Sequence, residues 1–131
     1  MTFSWTPHRF SGGALALDVA NSVVLRGDPE RRIDRFADPV VMDAFPAGAG
    51  RHGAERVLFG PLEPVREDAR AGLFALREAV DRHFRAEVLG QGTPALLAGL
   101  LEAIAATLRR SGTRPQALDT ATARSALLLL R

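Results

Sequence analysis

The 131-residue chain contains no cysteine, no lysine and no tyrosine. Without cysteine there is no disulfide, no thiolate nucleophile and no Cys-ligated zinc. Without lysine there is no nucleotide-binding loop of the usual lysine-bearing kind, so the small-residue run Ala47-Gly-Ala-Gly50 reads as a connection and not as a phosphate cradle. The three histidines, His8, His52 and His83, lack the paired spacing of a metal site, and no metal or other cofactor is expected. No apolar run approaches the roughly 20 residues that span a bilayer, and the first ten residues lack the basic-then-apolar layout of a signal peptide. A cytoplasmic protein with no membrane association is the expectation.

The same absences explain the charge. All 17 basic residues are arginine, so nothing titrates between neutrality and the arginine pKa, and a formal charge of only +2 is enough to give a calculated pI of about 10.8. The pI therefore says little about nucleic acid. The excess sits late in the chain, where Arg109, Arg110, Arg114, Arg124 and Arg131 face the single acid Asp119. A solvated helix face explains it as simply as a phosphate contact, and no nucleic-acid residue is assigned. At 47% hydrophobic, the chain has enough apolar mass for one domain with its own core, covering 1–131.

The segment Phe10-Ser-Gly-Gly-Ala-Leu-Ala-Leu-Asp-Val-Ala-Asn-Ser22 is apolar except for Asp18, Asn21 and the serines. Two periods compete from Ala14 to Leu25. Alternating Leu15, Leu17, Val19, Val23 and Leu25 suits a strand, whereas run length and Ala and Leu content favour a helix, the reading adopted here. On a helix Asp18, Asn21, Ser22 and Leu25 form one narrow strip.

The charged stretch Arg26 to Arg35 surrounds a turn signal at Gly27-Asp28-Pro29 and reads as a surface connection with a short strand at 31–36. Asp38-Pro39 predicts a helix start and Pro46 its end. From about Pro64 to Leu89, Ala69, Leu73, Leu76, Val80, Phe84 and Val88 make one apolar stripe. Glu78 with Arg82 and Asp81 with Arg85 pair on its outside, and His83 lies on the surface. Arg77 falls inside the stripe, and a buried guanidinium needs a carboxylate, carbonyls or an anion. Asp18 is the other misplaced charge, so the sequence predicts that Arg77 meets Asp18 with Asn21 completing the set. Thr93-Pro94 opens a helix to about Arg110, and a last helix over about 120–130 ends in Leu127 to Leu130, which either closes the core or docks a partner such as a second copy of the chain. The fold expected is mainly α, one compact domain of about five helices with a short N-terminal β element.

Three segments resemble a known family. Gly12-Gly-x-Leu15-Ala-Leu-Asp18-Val-Ala-Asn21-Ser22 is similar to the G-G-x-L-A-L-D-F-x-N-T opening of the ABATE domain, the N-terminal module of bacterial stress-induced transcription regulators of the CGNR zinc-finger type. Leu76-Arg77-Glu78-Ala79 resembles its L-R-E-A motif, and Ala123-Arg124-Ser125-Ala126 its A-R-S-A segment. Val19 and Ser22 stand where the family has Phe and Thr. The resemblance implies a ligand-sensing or interaction domain in transcription regulation and stress response, not an enzyme. DNA would be reached only through a Cys-rich zinc module that these cysteine-free residues cannot supply. The site expectation is a small polar or anionic ligand held by Asp18, Asn21 and Arg77. The alternatives are that the trio is a structural network in an interaction module, or that Asp18 is the general base and Arg77 the anion clamp of a small hydrolase-like enzyme.

Overall fold

In the computed structural model, which describes residues 3–111 and 114–131, the architecture is mainly helical. Six α-helices run as α1 (Leu15–Ala20), α2 (Pro39–His52), α3 (Arg56–Phe59), α4 (Arg70–Val88), α5 (Pro94–Ser111) and α6 (Leu118–Leu129). A two-stranded antiparallel ribbon, β1 (Val23–Val24) with β2 (Ile33–Asp34), lies between α1 and α2. No described helix is long and apolar enough to cross a membrane.

The segment 14–25 resolves the competition between periods by using both. Its Ala and Leu half is helical through Ala20; the β-branched pair Val23-Val24 then leaves the helix to pair with Ile33-Asp34, and the Arg35 N–H donates to the Ser22 carbonyl at 2.8 Å. Leu25 enters the connecting turn at φ 55°, exposed, so the predicted helical strip ending at Leu25 does not form. The freed Ala20 carbonyl accepts from Arg26 Nη2 at 2.7 Å, a side-chain cap on the truncated helix.

Helix α2 starts as predicted, with the Asp38 carboxylate accepting the Val40 N–H at 2.9 Å, but it does not stop at Pro46. It continues to His52, and the small-residue run expected to be a loop is helical, with Gly48 and Ala49 buried. Gly48 lies against Phe10 and Trp5, where an added Cβ would come within 2.9 Å of both. Aromatic packing against this glycine outweighs the helix-breaking tendencies of proline and glycine. Trp5, Phe10 and Phe36 gather around Phe45 with ring centroids 4.9, 5.3 and 5.2 Å away, and Trp5 Nε1 donates to the Val41 carbonyl.

Residues 61–66 are not helical, because Glu63 is drawn into pairing with the start of α6: its N–H donates to the Gln116 carbonyl at 2.8 Å and its carbonyl accepts the Leu118 N–H at 2.9 Å. Helix α4 therefore begins at Arg70 and ends before Gly90, which takes φ 69°. Its stripe is buried at Leu73, Leu76 and Val80 and lost at Val88, which is exposed. The pair Asp81–Arg85 forms, whereas Glu78 turns to Arg26 and Arg77 instead of Arg82. His83 is buried and not on the surface, edge-on to Phe84, since α5 covers that side of the long helix. Two apolar cores result, one of aromatics and Met42 near α2, the other where α1, α4, α5 and α6 meet around Leu76, Val80, Leu100 and Ile104.

Candidate functional site

Arg77 and Asp18 do not meet. The Arg77 guanidinium, buried from α4, forks onto Asp34 of β2 with Nη1 to Oδ1 and Nη2 to Oδ2 both 2.8 Å, a planar bidentate match. Its Nε donates to Glu78 Oε2 at 2.9 Å and Nη1 also reaches Ser22 Oγ at 3.2 Å. Glu78 is shared with Arg26, whose Nη1 lies 2.5 Å from Oε1, and Arg26 Nε lies 3.3 Å from Asp81. Burial alone would raise the Asp34 carboxyl, but the Arg77 hydrogen bonds and charge outweigh it and hold it below the usual range. For Glu78 burial is likewise outweighed, by Arg26 and Arg77 together. The network straps the β-ribbon onto α4. Its guanidinium is held at Nε, Nη1 and Nη2 by two protein carboxylates and the Ser22 hydroxyl, which take four of its five N–H groups.

Asp18 occupies a separate place. It is 1% exposed; Oδ1 accepts the Gly12 N–H at 2.9 Å and Oδ2 has no partner among the described residues. Gly12 permits this approach, since a Cβ there would come within 2.8 Å of Oδ1. Burial pushes the carboxyl up to about 6, against the pull of the Gly12 N–H and with a further rise from the charge of Glu55.

Two residues without any periodic signal complete the surroundings of α1. Glu55 Oε1 accepts the Leu15 N–H and the Ser125 hydroxyl, each at 2.6 Å, and Ser125 Oγ accepts the Ala16 N–H at 2.9 Å. Two open N–H groups of the helix start are thus taken by side chains from the α2–α3 connection and from α6. Ser125→Ala should strand the Ala16 N–H in the core and lower stability by about 1–3 kcal/mol, read as a shift of the urea midpoint at unchanged slope.

Asn21, the third predicted residue, caps the end of α1 and is exposed. It lines an open cleft of about 540 Å³ with His8, Arg9, Ser11, Arg26 and Arg85. The predicted trio is therefore distributed over three places: an ion-pair network, a buried carboxyl and a cleft. Of the residues missed, Asp34 and Glu55 lie in charged or small-residue segments whose partners are set only by the tertiary fold. Ser125 is in the A-R-S-A segment. Among the described residues no three potential metal ligands gather. Compared with protein-family models, curated proteins and solved structures, the chain matches none.

Proposed function

We propose that the chain is a ligand-sensing or interaction domain of a bacterial stress-induced transcription regulator, with α6 as the element that reports. The observation that supports it is convergence. Ala16 and Ala20 of the first motif, Leu76 of the second, and Ala123 and Ala126 of the third pack into one core. Ser125 of the third motif also bonds the backbone of Ala16 in the first, 109 positions away. The segments that carry the family resemblance are the ones that fix α6 against α1 and α4.

Helix α6 suits an output role. From Leu118 to Ala126 only Arg124 is exposed, and Leu127 and Leu128 then emerge at its end. A ligand that shifts α1 would change the seat of α6 through Ser125 and Glu55. Contact with DNA belongs in this reading to a zinc module, which cysteine-free residues cannot form. An enzyme built on Asp18 and Arg77 loses its basis, because base and anion clamp are held apart by different partners.

The test is a thermal-shift screen of the purified chain against acetate, benzoate, citrate, inorganic phosphate, pyrophosphate and ATP at constant ionic strength. A ligand at about a hundred times its Kd adds about 2.7 kcal/mol, several degrees in Tm for a domain of this size. At least one such rise is expected; a flat response to every probe would count against sensing and leave an interaction module.

A further inference from the structure

Among the described residues several arginines meet an acid, whether on the surface, as with Arg66 and Asp68, or inside, as with Arg77 and Asp34. Arg9 and Arg35 do not. Both are half-buried, neither forms an ion pair among the described residues, and the Nε of each is buried with no hydrogen-bond partner there. Both guanidiniums stack on the same ring, with Cζ 4.9 Å (Arg9) and 4.4 Å (Arg35) from the Phe3 centroid. Two like charges on one aromatic ring repel each other, and their partial burial removes the water that would offset it. Burial first, and the charge of Arg9 second, hold the Arg35 guanidinium below the ordinary arginine value. Such an arrangement is relieved by an anion.

The surroundings can admit one. Arg9 lines the open cleft together with the exposed Asn21, and the Arg35 guanidinium lies over the same Phe3 ring as that of Arg9. Arg26 and Arg85, which also line the cleft, are already engaged with Glu78 and Asp81 and do not compete for the ligand. We infer that this cleft is a binding site for a small oxyanion, a carboxylate or phosphate group, held by the guanidiniums of Arg9 and Arg35 with the Asn21 amide as hydrogen-bonding neighbour. The site deepens the sensing reading and rests on it for its purpose: the ligand would sit at the C-terminal end of α1, whose first turn is bonded to α6.

The experiment is a ¹⁵N chemical-shift titration of the full chain, separately with inorganic phosphate and with citrate, at constant ionic strength. Saturable shifts are expected at the amides of Arg9, Ser11, Asn21 and Arg35, and whichever probe saturates identifies the source of the oxyanion. Arg9→Gln and Arg35→Gln should each weaken the Kd about 10- to 100-fold, the loss of one charge-assisted contact. Each variant should melt no lower than the parent without ligand, because it removes one of two uncompensated like charges; Arg9→Lys, which keeps the charge, gives a second folded variant with intermediate affinity. Arg110→Gln with Arg114→Gln, in the separate basin beside Asp119, should leave the Kd unchanged. Non-saturating shifts, shifts that map to that basin, or binding that survives Arg9→Gln with Arg35→Gln would overturn the site. Binding here with no change in α6 would keep the site and remove its sensory role, whereas a probe that alters α6 from elsewhere would do the reverse.

Discussion

Arg77→Met is expected to lower stability by about 3–5 kcal/mol, since it leaves the Asp34 carboxylate facing the core without its bidentate partner and takes one of two arginines from Glu78. For a domain whose total stability is about 5–15 kcal/mol, that is a large share. Asp34 also accepts the Phe36 N–H at 2.9 Å, so Asp34→Asn, which keeps an acceptor there, is the appropriate second substitution. Because the carboxylate is partly exposed, its own loss is expected to cost less than that of the guanidinium. Combined, the two changes should cost about 1–3 kcal/mol less than the sum of the singles, as neither then strands the other. The corresponding cycle between Arg77 and Asp18 should be additive within about 0.5 kcal/mol. Urea denaturation of the six proteins decides it: coupling to Asp18 and none to Asp34 would refute the network.

The second large effect is a pH dependence. Asp18 is raised from an ordinary carboxylate value to about 6 in the folded chain, so the folded state holds this proton more tightly than the unfolded one. Its contribution is complete below about 4 and is lost as the pH rises through about 6, at a cost of about 3 kcal/mol. Asp34 and Glu78 are lowered and act in the opposite sense, adding stability above the ordinary carboxylate range that disappears as the solution is acidified below about 4. Stability should therefore fall on the acid side from the network and decline again between pH 4 and 7 from Asp18. Asp18→Asn, whose amide oxygen can still accept the Gly12 N–H, should abolish the upper decline and leave the acid limb intact. Unchanged slopes between pH 4 and 7 in the variant would show that Asp18 does not titrate there.

What was legible in the sequence followed from local rules. The cap at Asp38, the helix opened by Thr93-Pro94, the stop at Gly90 and the inward direction of Arg77 each depend on a few neighbours in the chain, and each is present. That Arg77 and Asp18 are both buried was also readable, because each is a charge on an apolar surface. Which partner each would take was not. Asp34 reaches Arg77 across 43 positions because Val23-Val24 leaves the helix to form a ribbon, a choice decided by pairing with Ile33 and not by the propensity of 14–25. Pro46 and Gly48 read as helix breakers, yet they lie in α2 because the aromatics of residues 5 and 10 need a flat surface there. Glu55 lies among small residues and acquires its role only when α1 and α6 arrive beside it.

In the proposed reading the motif-bearing segments make α6 responsive to what binds beside α1. Hydrogen exchange of the full chain, with saturating phosphate or citrate and without, tests it most directly. Slower exchange is expected in residues 14–21 with an accompanying change in 118–130, the second effect being lost in Ser125→Ala while the first remains. Protection confined to the cleft, with α6 exchanging identically in both conditions, would contradict it.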